Sequence, residues 1–110
     1  MGRNGKPCAY YPLTDVVKAI DVGKVDLVNL FTREKNKQTL GNLGLSFPDA
    51  IDHIRNLTSS QFVETSFQTG KAPADVYKKT ISKVPVYIKF YLENDLVILS
   101  FHQDEARRRR

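Results

Sequence analysis

The chain has 110 residues, of which 41% are hydrophobic and 26% are charged, proportions typical of one ordinary globular domain. No apolar run approaches the roughly 20 residues that a membrane-spanning helix needs, and residues 1–6 are not followed by the apolar segment of a secretory signal. Cys8 is the single cysteine and the two histidines lie far apart, which excludes an internal disulfide and a multi-cysteine zinc site and argues against a structural metal. No cofactor is expected. We therefore expect a cytoplasmic protein without a membrane segment.

The net charge of +5 is concentrated at the C-terminus, where Arg107–Arg110 contribute four of the seventeen basic groups. The thirteen that remain in residues 1–106 stand against twelve acidic groups, so this part carries a net charge of +1. Such a near-neutral balance does not by itself indicate a nucleic-acid surface. The arginine run has two interpretations, a solvated tail or an electrostatic contact with RNA or an acidic partner, and the first is the more typical.

The composition changes near both ends of the chain and predicts a single domain between two appendages. Residues 1–11 include Gly2, Gly5 and Pro7 and predict a flexible arm. Residues 12–105 form the predicted domain, and residues 106–110 form the basic tail.

The first half of the domain predicts two helices and one ambiguous stretch. Thr14 is a candidate N-cap for a helix that Gly23 ends. Leu27–Phe31 fits a strand or a helix equally well, and Thr32–Gly44 is a polar segment that ends in a turn. A clearer helix starts at Pro48, a residue suited to the first helical turn, and its apolar residues recur at spacings of three and four: Ala50, Ile51, Ile54 and Leu57.

The second half predicts a three-stranded antiparallel meander. Ser59 and Ser60 are predicted to cap a short turn that carries Phe62 and Val63, and Gly70 marks an irregular loop. Residues 84–92 alternate between apolar and polar side chains, which is the period of a strand with one buried face. Residues 75–81 and 96–103 are the flanking strands, and Asn94-Asp95 is the turn between the last two.

The middle strand carries two rings and one cation on the face that points away from the predicted core: Tyr87, Lys89 and Tyr91. Strand pairing is expected to bring Tyr77, Lys79 or His102 onto the same face. Such a surface suits RNA, because aromatic rings stack on bases and lysines neutralise phosphates. A solvated strand face is also commonly built from tyrosine, lysine and glutamate, so the pattern alone leaves both interpretations open.

The order of several segments resembles the MqsR family of bacterial toxins over roughly residues 11–105. The segment DVYKKTISKVPVYIKFYLENDLVILSFHQDE is similar to the closing strands of that family, and YPLTDVVKAI is similar to its first helix. LGLSFPDAIDHIRNL resembles the entry into the second helix, and LTSSQF resembles the stretch before the lysine of the family's active site.

The resemblance implies an α+β, RelE-like fold, with two to three N-terminal helices packed on a curved antiparallel sheet that ends in the three-stranded meander. It also implies a metal-independent endoribonuclease, a messenger RNA interferase, that is neutralised by a cognate antitoxin protein. In such a reaction a ribose 2′-hydroxyl attacks the adjacent phosphate, which requires a proton acceptor, a proton donor and positive charge around the phosphate.

Residue by residue, the resemblance implies catalytic roles for Tyr87, which matches the family's strand tyrosine, and for His102, which stands where the family has its last lysine. Two further family positions differ, because Glu64 replaces a lysine and Ala74 replaces a glutamine. The expected contacts to RNA and its phosphates are Lys71, Tyr77, Lys89 and Tyr91. The alternative hypothesis is a catalytically impaired relative that binds RNA or protein on the same sheet.

Overall fold

The structure, a computed structural model, describes residues 8–104. Residues 1–7 of the predicted arm, Glu105 and the basic tail 106–110 lie outside this range. The helices are α1 (Leu13–Asp21), α2 (Val28–Thr32), α3 (Glu34–Leu43), α4 (Phe47–Arg55) and a short 3₁₀ helix, Ser59–Gln61. The strands are β1 (Val25–Asp26), β2 (Phe62–Ser66), β3 (Ala74–Ile81), β4 (Val84–Glu93) and β5 (Asp95–Gln103). No helix within residues 8–104 is long and apolar enough to cross a membrane.

The five strands form one sheet in the order β1-β5-β4-β3-β2, in which β1 runs parallel to β5 and all other pairs are antiparallel. The predicted meander is therefore confirmed as β3, β4 and β5. A two-residue turn at Ser82 and Lys83, both with positive φ, joins β3 to β4, as a tight hairpin requires. Asn94, with φ of 56°, makes the turn into β5. The α+β class and the RelE-like arrangement of helices against a mostly antiparallel sheet are confirmed.

One face of the sheet builds the hydrophobic core with the helices. On β4 the alternate residues Val86, Ile88 and Phe90 are fully buried, and Val16 of α1 and Ile54 of α4 pack into the same cluster. Burial of each such side chain stabilises the fold by about 1.5–3 kcal/mol. The alternation of apolar and polar residues along β4 thus follows from the burial of every second side chain in the core.

The ends of the two predicted helices are partly as expected. The α1 helix begins at Leu13 after Pro12 without a side-chain cap, so the cap assigned to Thr14 is wrong. Gly23, with φ of 76°, follows the end of α1 as predicted. The α4 helix begins with a capping box, in which the Asp49 amide donates to Ser46 Oγ at 3.2 Å and the Ser46 amide donates to Asp49 Oδ2 at 2.9 Å.

The polar segment predicted before Gly44 is the helix α3, and it covers an edge of β5. The buried Asn36 amide donates to the Leu99 carbonyl at 3.2 Å and its oxygen accepts from the Phe101 amide at 2.9 Å. Thr39 Oγ1 accepts from the Gln103 amide at 2.8 Å. Because polar side chains occupy its buried face, α3 shows little hydrophobic periodicity in the sequence.

The segment around Asp75 fixes the chain that precedes α1. The carboxylate of Asp75 is fully buried and accepts hydrogen bonds from the Tyr10 and Tyr11 amides, at 3.0 and 2.8 Å, and from Thr65 Oγ1 at 2.6 Å. The Tyr11 hydroxyl also donates to the Pro73 carbonyl at 2.7 Å. Tyr10 and Tyr11, the last residues of the predicted arm, are therefore bound to the sheet.

Candidate functional site

The face of the sheet opposite the core forms a groove of about 610 Å³. Lys89 and Tyr91 of β4 lie on its floor, and Lys71 lines it from the loop between β2 and β3. Arg33, between α2 and α3, lines it from the side. Three of the four residues predicted to contact RNA or its phosphates therefore meet in one groove, and a cation that the sequence analysis did not select joins them.

Tyr87 and His102 lie beside this groove on the same face. They are directly opposite each other in the pairing of β4 with β5. Their rings stack with centroids 5.3 Å apart and planes inclined by 16°. The predicted convergence of a phenol and an imidazole on one face is thus what the geometry shows, and Lys89 follows Tyr87 two residues along the same strand, on the same side of the sheet.

The tyrosine predicted to join them from β3 lies on the other face. Tyr77 pairs with Ile88 and is fully buried, stacked on Phe90 with centroids 5.6 Å apart. Its predicted contact with RNA is therefore wrong. Lys79 also points towards the helices, where its Nζ donates to the His53 carbonyl at 3.0 Å.

The turn between β3 and β4 explains this reversal. The two-residue turn pairs Ile81 with Val84, and this register places Lys78 opposite Tyr87. A position of Tyr77 or Lys79 on the groove face would require the odd positions of β3 to face the solvent, whereas the register places them on the core face. Lys78 is consequently the lysine from β3 that lies in the candidate site.

The surroundings of Tyr87 keep its hydroxyl protonated. Partial burial raises the pKa of Tyr87, the carboxylates of Glu64 and Asp104 raise it further, and Lys78 lowers it. The phenol is thus a hydrogen-bond donor at neutral pH and a poor proton acceptor. Lys78 Nζ lies 2.9 Å from Asp104 Oδ2, so these two charges offset each other beside the ring.

His102 borders a second, smaller hollow of about 80 Å³. Lys35 and Gln38 of α3 line this hollow together with the imidazole. His102 Nδ1 lies 3.1 Å from the carbonyl oxygen of Gln103, a contact that, with Nδ1 as donor, leaves Nε2 for a ligand. The imidazole therefore has polar and cationic neighbours from both the sheet and α3.

The groove concentrates positive charge that the overall composition hides. Among residues 8–104, Arg33, Lys71 and Lys89 line it together with one carboxylate, that of Glu93. The near-neutral charge of residues 1–106 is therefore unevenly distributed, and charge fields of this kind attract polyanions. Within the part of the chain that the structure describes, no three His, Cys, Asp or Glu side chains cluster in a way that suits a metal ion.

Arg33, Lys35 and Lys78 were not predicted from the sequence. Arg33 and Lys35 lie in a segment without a recognisable pattern, and their position depends on how α3 packs on β5. The position of Lys78 could have been inferred, because a two-residue turn at Ser82 and Lys83 fixes the register of the hairpin.

These features define a class of protein: a RelE-like α+β domain with helices on one face of the sheet and a basic, aromatic groove on the other. Residues 8–103 match the model of the MqsR toxin family, described as the motility quorum-sensing regulator, toxin of MqsA. Because the match spans most of the chain, the protein belongs to this family of toxins. No individually curated protein is significantly similar to it.

Proposed function

We propose that this protein is a metal-independent endoribonuclease that cleaves single-stranded messenger RNA in the cytoplasm and is neutralised by a cognate antitoxin protein. The observation that carries the proposal is the stacked pair Tyr87–His102 beside a groove lined by Arg33, Lys71 and Lys89. Family membership supports the antitoxin, since the family is described as the toxin of MqsA.

The reaction is an internal transesterification at one ribose phosphate. The 2′-oxygen forms a bond to phosphorus, the bond from phosphorus to the 5′-oxygen breaks, and the products carry a 2′,3′-cyclic phosphate and a 5′-hydroxyl. His102 donates a proton to the leaving 5′-oxygen, which spares that atom a full negative charge. Tyr87, as a protonated phenol, donates a hydrogen bond to a non-bridging phosphate oxygen, where charge develops in the transition state.

The groove positions the strand for this step. Arg33, Lys71 and Lys89 contact the phosphates on one side of the scissile bond, and Tyr91 offers a ring for a base to stack on. Single-stranded RNA suits such a surface because its bases can be splayed out of a helix. Holding the backbone in an extended path also favours the in-line geometry that the attack requires.

The test is cleavage of a single-stranded RNA in the presence of EDTA, with the ends of the products identified. His102→Ala is expected to slow cleavage by about 10²-fold or more, and Tyr87→Phe by at least about tenfold because it removes one donor to the phosphate. His53→Ala and Tyr10→Phe are the matched controls, since both residues lie outside the groove. If His102→Ala and Tyr87→Phe cut as fast as the parent, the assignment of these residues is wrong.

One observation favours a second function, that of a catalytically impaired relative which only binds RNA or protein. Glu64 and Ala74 stand where the resemblance implies a lysine and a glutamine, and the Glu64 carboxylate adds negative charge near Tyr87. RNA bound with an affinity that falls as salt rises, without any cleavage and without growth arrest when the chain is produced alone, would establish this alternative.

A further inference from the structure

The proposed cleavage requires a group that accepts a proton. The 2′-hydroxyl must lose a proton as its oxygen attacks, and His102 cannot both take that proton and already hold the one that it gives to the 5′-oxygen. Tyr87 stays protonated because its pKa is raised. Lys78 and Lys89 are ammonium groups, and Asp104 is bound to Lys78. Of the described groups around the Tyr87–His102 pair, the carboxylate of Glu64 is the remaining acceptor.

An irregularity in β2 aims Glu64 at this face. Phe62 pairs with Tyr77, but Glu64 pairs with Val76, so β2 contains one more residue than β3 between these two pairs. Without this bulge at Val63, Glu64 would follow Phe62 by two residues and face the core. A β-bulge commonly re-aims a side chain next to an active site, and here it turns a carboxylate from the core towards the groove face.

The position of Glu64 brings its charge within reach of the stacked rings. Val76 pairs with Lys89 and Lys78 pairs with Tyr87, so Glu64 lies one strand beyond β3 on the face that carries both. The backbones of β2 and β4 are about 10 Å apart. The side chains of Glu64 and Tyr87 both extend into this space, so their polar ends can lie closer together than the two backbones. The field of the Glu64 carboxylate reaches the Tyr87 hydroxyl, whose pKa it raises.

The carboxylate of Glu64 is available to a ligand. It is exposed, and within residues 8–104 it accepts no hydrogen bond and forms no ion pair. The charged and titratable groups on the same face of the sheet are Lys78, Tyr87, Lys89, His102 and Asp104, and Arg33 and Lys71 line the adjacent groove.

We infer that Glu64 is the general base of the proposed cleavage, and that it takes the proton of the 2′-hydroxyl while His102 supplies a proton to the 5′-oxygen. The inference rests on the proposed function. The proton leaves the 2′-oxygen as the bond to phosphorus forms, and the second proton reaches the 5′-oxygen as its bond to phosphorus breaks, so charge and atoms balance. The lysine that the resemblance implies at this position is thereby replaced by a group that performs a different step.

The experiment measures single-turnover cleavage of one RNA across a range of pH in EDTA. The unaltered chain is expected to give a bell-shaped profile, since one group must be deprotonated and another protonated. Glu64→Gln is expected to slow cleavage by about 10²-fold or more and to remove the acidic limb, while the alkaline limb remains. Glu64→Asp keeps the carboxylate and should retain part of the rate together with both limbs.

Two controls separate a base from a residue that only shapes the site. Glu34→Gln makes the same chemical change at an exposed glutamate of α3 that pairs with Lys37, and it should leave the rate and the profile unchanged. Binding of an RNA with a 2′-O-methyl group at the scissile position should be no weaker for Glu64→Gln than for the parent. A loss of that binding would assign Glu64 to positioning and overturn the inference.

The competing view, that Glu64 merely repels phosphate, predicts the opposite result. Removing a repulsive charge would make Glu64→Gln cut faster than the parent, and Glu64→Lys faster still. Either gain, or an unchanged acidic limb in Glu64→Gln, overturns the role of Glu64 and leaves the proposed function standing. Absence of cleavage by the unaltered chain at every pH overturns both.

Discussion

Tyr77 and Tyr87 lie on neighbouring strands and show how differently the two faces of the sheet use the same side chain. Tyr77 is fully buried against Phe90, and its hydroxyl has no hydrogen-bond partner among residues 8–104. Tyr87 is partly exposed and stacks on His102. On the core face the ring buries apolar area, and its hydroxyl lowers the stability of the fold because it lacks a partner. On the groove face the hydroxyl is the part of the side chain that can bond a ligand.

The same division runs along β4, residue by residue. Ile88 is fully buried, while Lys89 beside it lines the groove. Consecutive residues of a strand face opposite sides of the sheet. A residue that stabilises the core is therefore followed directly by one that faces the groove. Substitutions on the two faces should therefore affect different measurements.

The largest expected effect comes from neighbouring residues of β4. Ile88→Ala should lower the free energy of unfolding by about 2–5 kcal/mol, because it leaves a cavity in a packed core. Lys89→Ala should lower it by less than about 1 kcal/mol but weaken RNA binding and reduce its dependence on salt. Urea denaturation and titrations at two salt concentrations measure the two quantities. Equal losses of stability would contradict the division between the faces.

A smaller effect is expected in alkaline solution. Burial raises the pKa of Tyr77 to about 12, and the charge of Asp75 adds to this. Because this phenol ionises less readily in the folded state, the free energy of unfolding is independent of its titration below the unfolded pKa of about 10 and falls as the pH rises from there towards 12. The loss should be roughly 2–3 kcal/mol. It should disappear in Tyr77→Phe and persist in Tyr10→Phe, as measured by urea denaturation between pH 9 and 12.

The smallest effect is on stability at neutral pH. Tyr77→Phe should raise the free energy of unfolding by about 1 kcal/mol, because it removes a buried hydroxyl without a partner, and it should leave cleavage unchanged. Tyr87→Phe should change stability by less than about 1 kcal/mol and slow cleavage. A clear loss of stability in Tyr77→Phe would mean that the hydroxyl has a partner, such as a bound water.

The sequence was sufficient for those elements whose side chains repeat with a clear period. The alternation in residues 84–92 predicted β4 and its two faces because burial on one side and solvation on the other require it. The helix α4 was predicted from its spacing and from Pro48. The helix α3 was not predicted because its buried positions include the polar residues Asn36 and Thr39, which interrupt the hydrophobic periodicity of a helix. Their side chains bond the backbone of β5.

The candidate site was predictable to the extent that it depends on one strand. Tyr87, Lys89 and Tyr91 share a face because they alternate along β4, whereas Tyr77 was misplaced because the pairing of two strands depends on the turn between them. Arg33 reaches the groove through the packing of helices, and Glu64 through a bulge. Neither a helix packing angle nor an inserted strand residue has a local signature in this sequence.

Asn36 and Thr39 bind backbone groups of β5, so the two edges of the sheet differ in their capacity to pair with another strand. Among residues 8–104, the edge strand at one end is β1, which is two residues long, and side chains of α3 bind the backbone groups of β5 beyond it. At the other end β2 has no neighbouring strand among residues 8–104. The backbone groups of β5 that α3 occupies are therefore not available to pair with another strand, which removes one exposed edge at which the sheets of two copies could join.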